Sequence, residues 1–339
     1  MRSEEFAEKP LLHPVAELLA VHGYTFVACA DPPAGFTKGD EFGVALPGPK
    51  LKRVDVVGAK WHTDWRTLET VAVECKREGT VRDSVNAALG QATDYQLCLH
   101  RVFIATEAGD LQEDKQTVLK ALGLGHIIVD MRKSQATFSL QPTPNTRFDT
   151  FLYEQLVAPR LVLALVFQEA TQAIANGVAY GGLRDGGIWI ARPVAGNLQW
   201  NCWWDRKTLT ASCGINIEHK SDIRRIVGQV DARRLNETLK KLPPEYHLRV
   251  TKDPVPGRSG SQDQQVLRAQ ARTVSASGLL SKLLETLPEK RWRPHLGIYT
   301  QVWGGHERVT RWERVQRLRN VMDQLGEVMT VLRGQEQSM

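Results

Sequence analysis

The stretch Val71-Ala72-Val73-Glu74-Cys75-Lys76 alternates as a β-strand does. Val71, Val73 and Cys75 point to one face, and Ala72, Glu74 and Lys76 to the other. A carboxylate and an amine thus share a face two residues apart. Upstream, the valine-rich run Arg53–Gly58 predicts a second strand in which Asp55 sits between Val54 and Val56, off their face. The polar and aromatic segment Lys60–Leu68 between the two reads as a hairpin connection. Pairing the strands brings Asp55 toward Glu74.

Outward from this hairpin the pattern continues as alternating elements. Pro14–His22 reads as a helix stopped by Gly23, followed by a strand at Tyr24–Ala30. Downstream come a helix at Asp83–Leu99, a strand at Val102–Thr106, a helix at Asp110–Leu122 and a strand at His126–Asp130. The order α-β-β-β-α-β-α-β predicts an α/β fold, a mixed sheet flanked by helices.

Two carboxylates converging at strand ends make a hard oxygen site suited to Mg²⁺, with Mn²⁺ able to substitute. The carbonyl of Cys75 adds a third candidate oxygen. Lys76 beside them is placed to orient a water or to offset charge building on a phosphate. The tripeptide Glu-x-Lys alone is weak, because it arises by chance about once in a chain of this length. A solvated cross-strand charge pair is its bland reading. The context strengthens it: Gln91 and Tyr95 follow on the next helix, four apart and so on one face.

With these residues together, the chain resembles the PD-(D/E)XK nuclease superfamily, the restriction-endonuclease-like fold. The helix is similar to the Gln-x-x-x-Tyr motif of its RecB-like branch, and the Mrr-like branch is also similar. The resemblance spans residues 12–130 only. It implies an αβββαβ core in which Asp55 and Glu74 bind Mg²⁺, Lys76 acts on the attacking water, and Gln91 and Tyr95 support the site or touch the DNA backbone. Glu17, on the first helix, matches a glutamate with which many relatives reach the metal; a solvated helix face is its alternative. Val54 stands where the superfamily's name has proline.

Composition sets the outer limits. The chain has 339 residues, 42% hydrophobic and 24% charged, so it is globular rather than disordered. Its longest apolar run, Val157–Phe167, is interrupted by Pro159 and Arg160 and is shorter than the ~20 residues that span a bilayer. The beginning Met1-Arg2-Ser3-Glu4-Glu5 lacks a signal peptide's apolar core. Five scattered cysteines without a C-x-x-C argue for reduced, buried thiols, so a cytoplasmic location is expected. No phosphate-binding G-x-x-x-x-G-K, no G-x-S-x-G and no H-x-x-x-H occurs.

Charge is unevenly divided. Residues 1–150 hold 17 Lys and Arg against 20 Asp and Glu, whereas residues 151–339 hold 27 against 18, so the second half is basic by nine. Proline-rich stretches at 141–146 and 253–261 each read as a loop or linker and as boundaries, dividing the chain into 1–140, 148–252 and 263–339. The middle part reads as α+β: a long helix at Phe151–Asn176, a Gly-rich turn, strands at Ile188–Pro193, Leu198–Trp204 and Ser212–Ile217, a helix at Asp222–Lys241 and a strand at Tyr246–Thr251. The last part reads as helices at 263–287 and 308–333 with a strand at Leu296–Val302 between them.

Seven of nine tryptophans lie beyond residue 188. Trp200, Cys202 and Trp204 fall on one strand face and Trp203 on the other; interleaved with Arg192, Arg206 and Lys207, the tryptophans read either as a stacking platform for bases or as the core of a sheet. The pairs Arg224-Arg225 and Arg233-Arg234 read as nucleic-acid contacts or a solvated face. A heptad seam, Val315, Leu318, Met322, Leu325, Met329 and Leu332, reads as a homodimer helix or as packing on its own domain. The expected activity is metal-dependent DNA endonuclease, of restriction, defence or repair type, with RNA left open. Two alternatives stand: a non-catalytic nucleic-acid-binding or assembly protein, and a nuclease gated by a sensor in the second half.

Overall fold

A computed structural model describes residues 9–29, 37–38, 54–62, 68–77, 84–107, 113–172, 180–184, 187–195, 198–205, 207–254, 264–288, 292–304 and 307–334. Most of the expected linker at 253–261 and of the hairpin connection at 60–68 lies outside these. The chain divides into two compact units, Met1–Gln168 with Val178–Ile188, and Glu169–Gly177 with Trp189–Met339. Residues 263–339 thus belong with the strands before them and form no unit of their own.

The first unit contains α1 (Lys9–Val21), β1 (Phe26–Cys29), β2 (Thr37–Lys38), β3 (Val56–Trp61), β4 (Leu68–Cys75), α2 (Ser84–Tyr95), β5 (Arg101–Glu107), α3 (Glu113–Ala121), β6 (Gly125–Asp130), β7 (Gln135–Leu140), α4 (Thr150–Leu156), most of α5 (Ala158–Thr171) and β8 (Tyr180–Arg184). Its strands run in the order β8-β2-β1-β3-β4-β5-β6-β7. β4, β5 and β6 are parallel, while β1/β3, β3/β4 and β6/β7 are antiparallel, so the sheet is mixed as expected. The hairpin forms with Val56 opposite Val73.

Alternation along β4 sorts the two faces. Val71, Val73 and Cys75 pack beneath α1 with Phe103, Ala105, Ile127 and Val129, against Leu11, Leu12, Val15, Ala16 and Leu19 of the helix. Glu74 points to the other face, which α2 covers.

Of the two readings of 141–146, the structure shows the loop: residues 141–149 belong to this unit and are tied to it. The Asn145 amide donates to the carbonyls of Gln96 and Leu99, which trail α2, so it caps that helix end. Phe148 and Tyr153 then pack on His100 at 4.5 and 4.8 Å between ring centres. The single long helix expected at 151–176 is two, α4 and α5, because Pro159 fits the first turn of a new helix and cannot continue an old one.

The second unit contains β9 (Gly187–Ala195), β10 (Leu198–Asp205), β11 (Thr210–Ile217), α6 (Lys220–Gln229), α7 (Ala232–Lys241), β12 (His247–Pro254), β13 (Gln264–Gln270), α8 (Ala276–Thr286), β14 (Trp292–Gly304) and α9 (Arg311–Arg333). Its sheet runs β13-β12-β14-β11-β10-β9. The pairs β10/β11, β11/β14, β12/β14 and β12/β13 are antiparallel. On one face Trp200, Cys202, Trp204, Ile215, Ile298 and Trp303 are buried, and α9 lies over that face with Arg314 above the Trp303 ring.

Two open alternatives are settled here and one reading is corrected. Trp200 and Trp204 are core residues, 3% and 8% exposed, and not a stacking platform. The heptad seam of α9 is buried within its own unit, from Val315 to Leu332, and so is spent on the α7 and sheet contacts instead of on a second chain. The helix expected at 222–241 breaks at Asp231, whose carboxylate caps α7 by accepting from the Arg233 and Arg234 amides.

Candidate active site

Extending the β3–β4 register by one residue sets Asp55, at the bend before β3, opposite Glu74. The Cys75 amide donates to Asp55 Oδ2 at 2.7 Å. That bond orients the aspartate and shows which way Cys75 faces. An N–H and C=O of one strand residue point to the same edge, so the Cys75 carbonyl also looks toward Asp55, where β3 has ended.

Glu74 is 1% exposed, and each of its carboxylate oxygens meets a donor. Lys76 Nζ lies 3.0 Å from Oε1, and the Tyr95 hydroxyl donates to Oε2 at 3.0 Å. The amine is drawn to this carboxylate by the strand's two-residue period. Tyr95, fully buried at the end of α2, has its phenol pKa pushed up by burial and by the negative charges of Glu74 and Asp55, and so remains a donor. Gln91 lies one turn earlier on α2 and is half-buried.

Asp55, Glu74, Cys75, Lys76 and Tyr95 therefore converge as the spacing implied. Glu17 does not join them. It is exposed on α1, a helix that covers the opposite face of the sheet from Glu74.

Two neighbours, Glu107 and Thr106, escape sequence reading. Arg77, which extends the Glu-x-Lys run, pairs through Nε with Glu107 Oε2 at 2.9 Å. Thr106 falls beside Lys76 in the β4–β5 register and bonds His126 Nε2 at 3.0 Å. The Glu-x-Lys-Arg run and the threonine at the strand end were the available signals.

His126 is 1% exposed, and burial lowers its pKa to about 4. An unfolded chain, with the imidazole near its usual value of about 6.5, takes up a proton that the folded protein refuses. Stability should therefore fall by about 2 kcal/mol between pH 7 and pH 5 through this group alone. In urea melts at both pH values, a His126→Gln variant should lack that part of the slope; an unchanged slope would assign the pH dependence elsewhere.

A metal ion fits the donors present. Among the described residues no three His, Cys, Asp or Glu side chains gather to hold one. Mg²⁺, however, is commonly held by one or two carboxylates, with waters and substrate phosphate completing its shell. Asp55, Glu74 and the Cys75 carbonyl supply such hard oxygens.

The arginines of the second unit are divided in role. Arg224 and Arg234 are exposed, and Arg233 pairs with Glu237 at 3.1 Å on the surface. Arg225 instead reaches the carbonyls of Leu332 and Arg333, closing the C-terminal end of α9. Arg225→Ala should cost about 1–2 kcal/mol of stability in denaturant melts, whereas Arg224→Ala should cost less than about 0.5. Equal effects would contradict the capping role.

No protein-family profile matches the chain, and no curated protein sequence matches it.

Proposed function

We propose that the first unit is a metal-dependent nuclease hydrolysing phosphodiester bonds in DNA, built on a PD-(D/E)XK-like core. The observation that carries this reading is the convergence of Asp55, Glu74 and Lys76 at the carboxyl end of β4, with Tyr95 fixing the glutamate.

Asp55, Glu74 and the Cys75 carbonyl would hold Mg²⁺ or Mn²⁺. Once bound, the ion supplies Lewis-acid polarisation of a phosphoryl oxygen and a lowered pKa for water. The remaining work belongs to the side chains. The amine of Lys76 orients the attacking water and offsets charge growing on the phosphoryl oxygens. Tyr95, by donating to Oε2, holds the Glu74 carboxylate in one rotamer, and the Cys75 amide does the same for Asp55.

Supercoiled plasmid and linear duplex incubated with Mg²⁺, Mn²⁺ or EDTA test the activity. Nicking or linearisation with metal and none with EDTA is the expected result. No cleavage with either metal, together with no metal binding by calorimetry, would end the reading.

A further inference from the structure

The helix-covered face of the second unit's sheet is apolar; its opposite face carries rings and charged residues of both signs. Register places Trp203 of β10, Tyr299 of β14 and His247 of β12 on that opposite face, all half-buried. Trp203 meets Tyr299 edge-on at 5.1 Å between ring centres, and His247 lies 6.0 Å from the same tyrosine. The three rings make a ridge across four neighbouring strands. Gly214 and Gly297 interrupt the side-chain layer next to it.

Charge runs alongside the ridge. Arg249 of β12 stands directly opposite Arg268 of β13 on the same face, and beside Gly297, which has no side chain to fill the space. Arg293, with Asp253 of β12 directly opposite in register, and His295 continue along β14. The acid on this face of β10, Asp205, has its carboxylate engaged by the Lys207 and Thr208 amides in the following turn.

We propose that this face of the second unit binds single-stranded DNA, with bases stacking on the Trp203–Tyr299–His247 ridge and phosphates beside Arg249 and Arg268. The chemistry is that of a sheet platform: rings accept the π-face of any base, while guanidinium groups track the backbone. A sheet face that carries half-buried rings suits unstacked bases, whereas duplex DNA hides its base faces. The choice of DNA rests on the nuclease reading of the first unit.

Fluorescence anisotropy of a labelled oligothymidylate with the full chain in EDTA tests this without any cleavage. The wild type should bind the single strand more tightly than duplex DNA or oligouridylate. Trp203→Ala and Tyr299→Ala should each weaken binding on the order of tenfold, and Trp203→Phe should retain most of it. Arg268→Ala, an exposed substitution, should weaken binding and lower its salt slope by about 0.7.

Wild-type affinity in folded Trp203→Phe, Trp203→Ala and Arg268→Ala proteins alike would overturn the proposal. So would tighter binding of duplex or of RNA. Metal-dependent cleavage without ridge-dependent binding would remove this inference and leave the nuclease. Ridge-dependent binding without cleavage would remove the nuclease and leave this surface.

Discussion

Asp55→Asn should reduce metal-dependent cleavage by about 100-fold or more while leaving stability within about 0.5 kcal/mol of wild type. The asparagine keeps an oxygen for the Cys75 amide, which now donates to Oδ2 at 2.7 Å, so the strand end keeps its shape. What it loses is the negative charge, and with it the attraction for a divalent cation. Lys76→Ala should also lose cleavage, but for a mixed reason. Its amine sits 3.0 Å from a carboxylate that is 1% exposed, so truncation leaves Glu74 buried without that cation. Because Lys76 itself lies at the carboxyl end of β4 and is 15% exposed, the expected cost is about 2 kcal/mol, less than for a fully buried pair. Adding Glu74→Gln to Lys76→Ala should restore stability and not cleavage. Plasmid assays and urea melts on the three proteins separate the two effects; an Asp55→Asn protein that cuts at the wild-type rate would remove aspartate from the chemistry.

The sequence exposes this site because strands impose a period of two. Once Val71, Val73 and Cys75 are assigned to the core, Glu74 and Lys76 must share the other face, and the hairpin fixes what stands across from them. Tyr95 was legible for a similar reason, four residues past Gln91 on a helix that folds back over the strand. Glu17 fails because helix position alone does not say which side of a sheet the helix will cover. β7 was missed even though Ala136, Phe138 and Leu140 alternate with polar residues, and those three are half-buried in the structure.

The second unit is harder to read for a different reason. Gln264–Gln270 consists mostly of good helix formers, yet pairing with β12 makes it a strand, an instance of tertiary context overriding propensity. Heptad spacing in α9 is the same pattern whether the seam meets a partner chain or its own sheet, and here it is buried against its own unit. Tryptophans buried at alternate positions look the same in sequence as a stacking platform. Alternation already sets Trp203 on the face away from Trp200 and Trp204, and the register between strands then places it with Tyr299.

That placement depends on Gly214, and Gly214→Ala should be the most damaging small substitution in the second unit. A Cβ at this position would fall on the Ile298 carbonyl oxygen and within 2.7 and 2.8 Å of Tyr299 Cα and Cβ. Two of these atoms are backbone, so no rotamer change relieves the clash; β14 would have to move away from the centre of β11, where Cys213 pairs with Thr300 and Ile215 with Ile298. The expected loss is about 3 kcal/mol, at the upper end for overpacking. Gly297→Ala is the control in the adjoining strand. Its nearest neighbour would be His295 Cε1 at 3.4 Å, the end of a side chain that can give way, with backbone no nearer than 3.8 Å. Because glycine inside a strand is itself unfavourable by about 0.5–1 kcal/mol relative to alanine, that substitution should be neutral or mildly stabilising. Urea midpoints for the two variants should therefore move in different directions or by very different amounts. Equal shifts would mean that β14 does not lie over Gly214 as closely as this register requires. A Gly214→Ala protein that stays folded should also lose single-strand binding, because Tyr299 can no longer hold its place against Trp203.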